Sequence, residues 1–314
     1  MQTIPVVDLN DFRSGDIARR QKFVTTLGDA LVDIGFFAIE NHGVPMELIE
    51  SSYRLAKDYF KLPEATKAQY EVKELKGQRG HTGFGKEHAK DSKAPDLKEF
   101  WHVGRELPAD HARFQEYPRN LWPSELSDFK PSFSSLYETL DHCASDLLKA
   151  AALYLKLEES RFSSMAFEGN SILRVIHYPP IAEDRNPSSI RAAAHEDINL
   201  ITLLCEATSS GLELLQRDGT WRPIHALKGQ IIADAGDMLQ NITNGLFKST
   251  THRVVNPDNS REERFSMPFF AHPRSECDLT PLSSCVQISG GEVKYPKITA
   301  GDYLAKRLRE IGLG

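Results

Sequence analysis

His195, Asp197, His252, Arg264 and Ser266 are the residues of this 314-residue chain whose types and spacing could do chemistry. His195 and Asp197 belong to "RAAAHEDINLITLLCE", an apolar, strand-like run with a charged tripeptide near its start. On a strand, residues two apart share a face. His195 and Asp197 are therefore expected to project together, with Glu196 pointing away. An imidazole beside a carboxylate is two thirds of a two-His, one-carboxylate facial set, which suits non-haem Fe(II) and leaves coordination positions open. With 11 His and 44 acidic residues, chance alone supplies about 1.5 His-x-acid tripeptides. By itself the pair fits a buried His–Asp hydrogen bond equally well.

The third ligand has to come from elsewhere, and His252 in "KSTTHRVVNP" opens another predicted strand. In "ERFSMPFF", Arg264 and Ser266 again share a face. A guanidinium and a hydroxyl aimed into a cavity make a carboxylate clamp. Tyr178, ending "RVIHYPP", could hydrogen-bond the same carboxylate, and Arg174 and Ile176 share its face. Phe270 continues the Arg264–Ser266 face as substrate wall or core packing. Asn199 and Ile201 continue the face of His195, so Asn199 is either a pocket contact or a donor that orients a ligand. Arg174, if it faces the cavity, would bind a substrate carboxylate and favour an amino acid, a peptide or a small acid. Phe84, with His81 and His88 in "RGHTGFGKEHAKD", lies in a loop that could cover the site. "KEFWHVG" reads as core or turn packing, and His42 in "NHGVP" as a turn residue.

The elements that must position these residues follow from periodicity and punctuation. "TIPVVDL" and "FFAIE" read as strands. "DIARRQKFVTTLGDALVDIG" reads as a helix closed by Gly35, and "ELIESSYRLAKDYFKLP" as a helix closed by Pro63. Residues 72–98 have no period and read as a long loop. A helix pair is expected over about 132–156 and 158–166. After Gly169 short apolar runs recur between turn signals: "SILRVIHY", "LITLLCE", "LELLQ", "QIIADAG", "THRVV", "RFSMPFF" and "CVQI". Closing such strands into a barrel or jelly roll removes exposed edges. The expected fold is mainly β with flanking helices: a double-stranded β-helix (jelly-roll, cupin-like) core over 169–297, an α-rich N-terminal support region over 1–168, and a C-terminal helix over 298–314.

Composition narrows the function classes. The net charge is −6 and no basic block stands out, which argues against nucleic-acid binding. No stretch is apolar enough to span a bilayer. The four cysteines form no C-x-x-C pair, and no secretory signal is read at the start, so reduced thiols and a cytoplasmic location are expected. A monomer or weak homo-oligomer acting on a small molecule fits this profile.

The order "HED" … "NGLFKSTTHRV" … "RFS", together with "IPVVDL", "GFFAIENHGVP", "YFKLP" and "GLELLQRDGTWRPI", resembles the isopenicillin N synthase-like branch of the Fe(II)/2-oxoglutarate-dependent dioxygenases. The resemblance runs through most of the chain. It implies that His195, Asp197 and His252 bind Fe(II). It also implies that Arg264 and Ser266, assisted by Tyr178, hold the distal carboxylate of 2-oxoglutarate. O2 would be the second cosubstrate and ascorbate an expected stimulant. The implied reaction is hydroxylation, desaturation or ring closure at an unactivated C–H bond of a small-molecule metabolite, with release of succinate and CO2. Many members carry Asn-Tyr-Tyr-Pro where this chain has Ile176-His177-Tyr178-Pro179, so no cosubstrate contact is assigned at 176. A cation at the triad would also compensate Asp197, which answers why charge is placed at the head of an apolar run.

Three rivals remain at the level of sequence. Isopenicillin N synthase and aminocyclopropane carboxylate oxidase keep the triad without 2-oxoglutarate. A cupin-like barrel could bind a ligand without turnover. A hydrolytic zinc enzyme would need a general base beside the metal-bound water, and Glu196 is expected to point away.

Overall fold

The computed structural model describes residues 4–75, 77–87, 96–181, 190–205, 208–224, 228–256 and 262–310. Strand β1 (Val6–Asp8), the short helix α1 (Leu9–Arg13) and α2 (Ile17–Asp33) open the chain. Strand β2 (Phe36–Glu40), α3 (Met46–Phe60), α4 (Glu64–Lys67), β3 (Gly80–Thr82) and β4 (Glu99–Gly104) follow. The long α5 (Phe129–Tyr154) and short α6 (Ser163–Ala166) lead into β5 (Ile172–Tyr178), β6 (Ala192–His195), β7 (Ile201–Cys205), β8 (Leu212–Leu215), β9 (Trp221–Pro223) and β10 (Ile231–Ala235). Helix α7 (Asp237–Ile242), strands β11 (His252–Val254) and β12 (Arg264–Ala271), and helices α8 (Ser283–Ile288) and α9 (Ala300–Glu310) complete it.

The strands form an eight-stranded sheet, β1-β2-β10-β7-β12-β5-β4-β3, and a four-stranded sheet, β6-β11-β8-β9. Pairing is antiparallel apart from β1 with β2. The two sheets face each other as a jelly roll, and residues of both line one cavity. Strands on both sides of residue 168 share the large sheet: β2 pairs with β10, and β4 with β5.

The other face of the large sheet is covered by helices. Phe133, Leu136, Leu140, Leu147 and Ala151 put a buried stripe of α5 against the sheet and against α2 and α3. Asp16 starts α2 by accepting from the backbone N–H groups of Ala18 and Arg19 at 2.8 and 3.0 Å. Gly35 ends it at φ +79°, and a Cβ there would stand 2.3 Å from the Lys248 carbonyl oxygen. That tight stop sends the chain straight into β2.

Several elements differ from the sequence-based expectation. "RAAAHEDINLITLLCE" is not one strand: β6 lies in the small sheet and β7 in the large one, and residues 196–200 cross between them. "CVQI" is helix α8, because Leu282 is extended and its carbonyl accepts the Val286 N–H at 2.9 Å, starting a helical turn. "KEFWHVG" packs in the core, one of its two expected readings, but as a strand: Glu99–Gly104 form β4, buried between β3 and β5. The 72–98 segment contains β3 and the buried Glu87, Asp96 and Lys98; His88 lies outside the described residues.

Candidate functional site

The crossover between the sheets is where Asp197 sits. Its backbone carbonyl accepts the Asp237 N–H at 2.7 Å, and the Asn199 carbonyl accepts that of Met238 at 3.1 Å, so this turn caps the start of α7. Gly236 makes the fit possible: a Cβ there would lie 2.3 Å from the Asn199 carbonyl oxygen. After α7, Asn244 (φ 53°) and Gly245 (φ 80°) turn the chain back toward β11. Asn244 anchors that turn by donating to the Glu292 carbonyl at 2.8 Å. His252, first residue of β11, then pairs directly across from His195, last residue of β6.

That register brings the two imidazole rings to 4.4 Å between centroids. Each Nδ1 faces a backbone carbonyl, His195 to Ala193 at 2.7 Å and His252 to Thr250 at 3.1 Å. A carbonyl only accepts, so both Nδ1 atoms carry the proton and both Nε2 atoms offer a lone pair. Both Nε2 atoms lie 3.9 Å from Asp197 Oδ1. That is too long for a hydrogen bond and within the span of two ligands about 2.1 Å from one ion. His195, Asp197 and His252 place three ligand atoms within 4.8 Å of one another, and no other such group occurs among the described residues. Desolvation and the neighbouring His252 hold His195 below the ordinary imidazole value, which favours the neutral ring. The donor set thus fits a divalent metal of the Fe(II) type.

The other carboxylate oxygen is fixed from behind. The Thr202 hydroxyl donates to Asp197 Oδ2 at 2.5 Å and accepts from Asn199 Nδ2 at 3.1 Å. Asn199 is fully buried and does not share a strand face with His195, because β6 has already ended; its contact is with Thr202 rather than with the cavity. Thr202, which sequence reasoning passed over, was marked by its place in the run after the tripeptide. Glu196 turns away, as expected, and accepts from the Thr251 hydroxyl.

Arg264, Ser266, Phe270, Tyr178, Ile176 and Arg174 all line the cavity. Strand β12 runs beside β5 with Arg264 opposite Tyr178 and Ser266 opposite Ile176. Arg264 is buried, its guanidinium 5.0 Å from the Tyr178 ring centroid. Its Nε donates to the Ser209 carbonyl at 3.2 Å, while Nη1 is buried without a partner. An orphaned guanidinium donor with a neighbouring hydroxyl is what a bound carboxylate would satisfy. Arg191, not anticipated from sequence, is buried 5.9 Å from the same ring with Nε and Nη1 also unpartnered. Burial and the Arg264 charge lower its pKa.

Further along β5 the charges are already met. Arg174 donates to Glu87 at 2.9 Å and to His102 Nε2 at 2.6 Å, and lies over the Phe100 ring at 4.3 Å. His102 in turn faces the Gly77 carbonyl through Nδ1 at 2.6 Å, and burial, with Arg174 beside it, keeps it neutral. Lys98, also lining the cavity, pairs with Glu87 at 2.7 Å and Asp96 at 2.8 Å. Arg174 therefore reaches the cavity as expected, but as part of a neutralised network rather than as a free carboxylate receptor. Phe84 is half exposed and does not line the cavity. His42 serves its turn, accepting from the Val44 N–H at 3.1 Å.

Known proteins resemble this chain along most of its length. Residues 169–273 match the 2OG-Fe(II) oxygenase superfamily. Residues 4–125 match the family described as non-haem dioxygenase in morphine synthesis N-terminal. The chain is 32% identical over 310 residues to the 2-oxoglutarate-Fe(II) type oxidoreductase hxnY of Emericella nidulans, covering 95% of this chain and 87% of that protein. A 2OG-Fe(II) oxygenase family protein from Caulobacter crescentus superposes with a TM-score of 0.86 at 40% identity, over 99% of each chain. A full-length Neurospora crassa protein, solved in complex with alpha-KG and thymine, superposes with a TM-score of 0.86 at 26% identity, over 98% of this chain and 96% of that one. Among the described residues no helix is long and apolar enough to cross a membrane. Fold, family matches and relatives agree, and the chain belongs to the 2-oxoglutarate- and Fe(II)-dependent oxygenases, in their isopenicillin N synthase-like branch.

Proposed function

We propose that this oxygenase oxidises a C–H bond of a small-molecule substrate, with Fe(II) held by His195, Asp197 and His252 and the distal carboxylate of 2-oxoglutarate held by Arg264 and Ser266. The observation that carries the assignment is the pair of Nε2 atoms, each 3.9 Å from one Asp197 oxygen, with both Nδ1 protons committed elsewhere. When bound, the metal and keto acid supply the oxidising chemistry, converting 2-oxoglutarate and O2 to succinate and CO2 while the substrate is oxidised. The chain's own residues orient. Thr202 fixes the Asp197 carboxylate, the Ala193 and Thr250 carbonyls fix the imidazole tautomers, and Arg264 provides an unspent donor to the cosubstrate. Tyr178 contributes its ring face beneath the guanidinium.

Relatives that are themselves 2-oxoglutarate-Fe(II) oxidoreductases disfavour the cosubstrate-free oxidase and the non-catalytic cupin. Within the chain, we assign the chemistry to 169–297 and support to 1–168 and 298–314. A monomer or weak homo-oligomer in the cytoplasm, without a nucleic-acid partner, fits the net charge of −6 and the four free, buried cysteines.

The test is anaerobic. Fe(II) and then 2-oxoglutarate are added to the apoprotein, and the visible metal-to-ligand charge-transfer band is followed. The band should form in the wild type and be lost in His252→Ala. Iron binding without the band would return the cosubstrate-free oxidase, and no iron binding would sink the triad.

A further inference from the structure

Asp234 is a carboxyl that the mechanism above does not use. It sits mid-strand in β10, is 4% exposed, and lines the cavity. Among the described residues its side chain makes no hydrogen bond and no ion pair; burial first, and the neighbouring Asp197 carboxylate second, push its pKa well above the ordinary value. Every other charged side chain of the cavity is spoken for. Arg174 and Lys98 are neutralised by Glu87 and Asp96. Asp197 and the two histidines form the metal set, and Arg264 faces the cosubstrate end.

Its position is set by register. Phe36, Asp234, Thr202 and Phe270 form one row across β2, β10, β7 and β12, and all four line the cavity. Neighbouring strands lie about 4.8 Å apart, so Asp234 stands one strand away from Thr202, the residue that holds the metal ligand Asp197. Arg264 and Tyr178 lie at the other end of β12 and β5. The row therefore lies at the Asp197 end of the cavity, away from Arg264 and Tyr178, with aromatic rings at both ends and one uncommitted carboxyl within it. Burying a carboxyl without a partner costs several kcal/mol.

We propose that Asp234 is the specificity residue for the substrate, receiving an N–H or O–H donor from a small, flat, neutral or basic molecule laid along the Phe36–Phe270 row. This rests on the oxygenase assignment above and deepens it. It also turns the expected preference for a substrate carboxylate around: the cations are internally balanced, and the open group is an acid. A buried acceptor left unpaired penalises an analogue that lacks the donor, so discrimination should be steep.

The experiment uses the anaerobic Fe(II)·2-oxoglutarate enzyme and reads perturbation of its charge-transfer band. The probes are uracil against 1,3-dimethyluracil and indole against 1-methylindole, with indole-3-acetate as the carboxylate. At least one donor-bearing member should perturb the band at tenfold or more lower concentration than its methylated partner. That advantage should vanish in Asp234→Leu and persist in part in Asp234→Asn. Metal-free Asp234→Leu should unfold at the same or a higher urea concentration than wild type. The proposal is overturned by equal response to the pair members, by tighter binding of the carboxylate, by an unchanged advantage in Asp234→Leu, or by a silent panel. A missing charge-transfer band in the wild type would sink the cosubstrate assignment instead. The urea midpoint would still decide for Asp234, since a lower midpoint in Asp234→Leu makes it a structural residue.

Discussion

Thr202 and Arg264 show how single side chains set this site. The Thr202 hydroxyl holds Asp197 Oδ2 at 2.5 Å, leaving Oδ1 toward the Nε2 atoms of His195 and His252, where the proposed metal would bind. Thr202→Val keeps the shape and removes the donor. We expect Fe(II) affinity to fall about 10- to 100-fold, as for other groups that orient metal ligands, with an unchanged far-UV spectrum; titration of the metal against a competing chelator reads it. Arg264 presents a buried donor without a partner. Arg264→Lys retains the charge and loses the planar fork. The expected result is a rise in the apparent Kd for 2-oxoglutarate of about tenfold or more, equivalent to about 1.4 kcal/mol, with Fe(II) binding intact. Equal 2-oxoglutarate affinity in the two proteins would remove Arg264 from the cosubstrate site.

At the scale of elements, two glycines carry close approaches. Gly236 lets the 197–200 turn sit against the start of α7, where a Cβ would be 2.3 Å from the Asn199 carbonyl oxygen. Gly236→Ala must push that turn, and Asp197 with it, so iron affinity should fall well before the fold is lost. Gly28 plays the corresponding part between helices: a Cβ would meet the Tyr154 ring at 1.9 Å where α2 crosses α5. Gly28→Ala is expected to cost about 1–3 kcal/mol of stability by overpacking, read as a lower thermal midpoint, with the metal site unaffected at low temperature. If the two variants exchanged phenotypes, the assignment of one crossing to the site and the other to the scaffold would be wrong.

For the whole molecule, buried neutral histidines set the acid response of the metal-free protein. Burial pushes His272 down to about 4 and holds His102 well below its ordinary value. Between about pH 6.5 and pH 4 the unfolded chain takes up protons that the native chain refuses. The unfolded state then binds more protons, so stability falls as the pH drops through that window. Each such histidine contributes up to about 1.4 kcal/mol per pH unit. Urea midpoints at pH 7 and pH 5 should show His272→Gln losing about 2 kcal/mol less than wild type. An identical loss would mean that His272 titrates normally in the native state.

Read alone, the chain specifies the inward-facing positions of its long, regular strands. Alternation along β12 placed Arg264, Ser266 and Phe270 on one face, and alternation along β5 placed Arg174, Ile176 and Tyr178 on another; all six meet in the cavity. The chain also indicates the jelly-roll core, because short apolar runs separated by turn residues have few ways to bury their edges. Folding settles what lies between strands. The "HED" run reads as one strand because its apolar content is continuous, yet the chain changes sheets there, and α7 and Gly236 fix where Asp197 stops. Folding also neutralises Arg174, since Glu87 is far away in sequence and arrives only when the segment before β4 folds against β5. It leaves Asp234 unpaired: "IIADAG" shows an acid within an apolar strand, but only the packed sheets show that none of the described residues comes to meet it. Periodicity is a property of one segment and survives in the sequence, whereas charge compensation is a property of pairs brought together by folding.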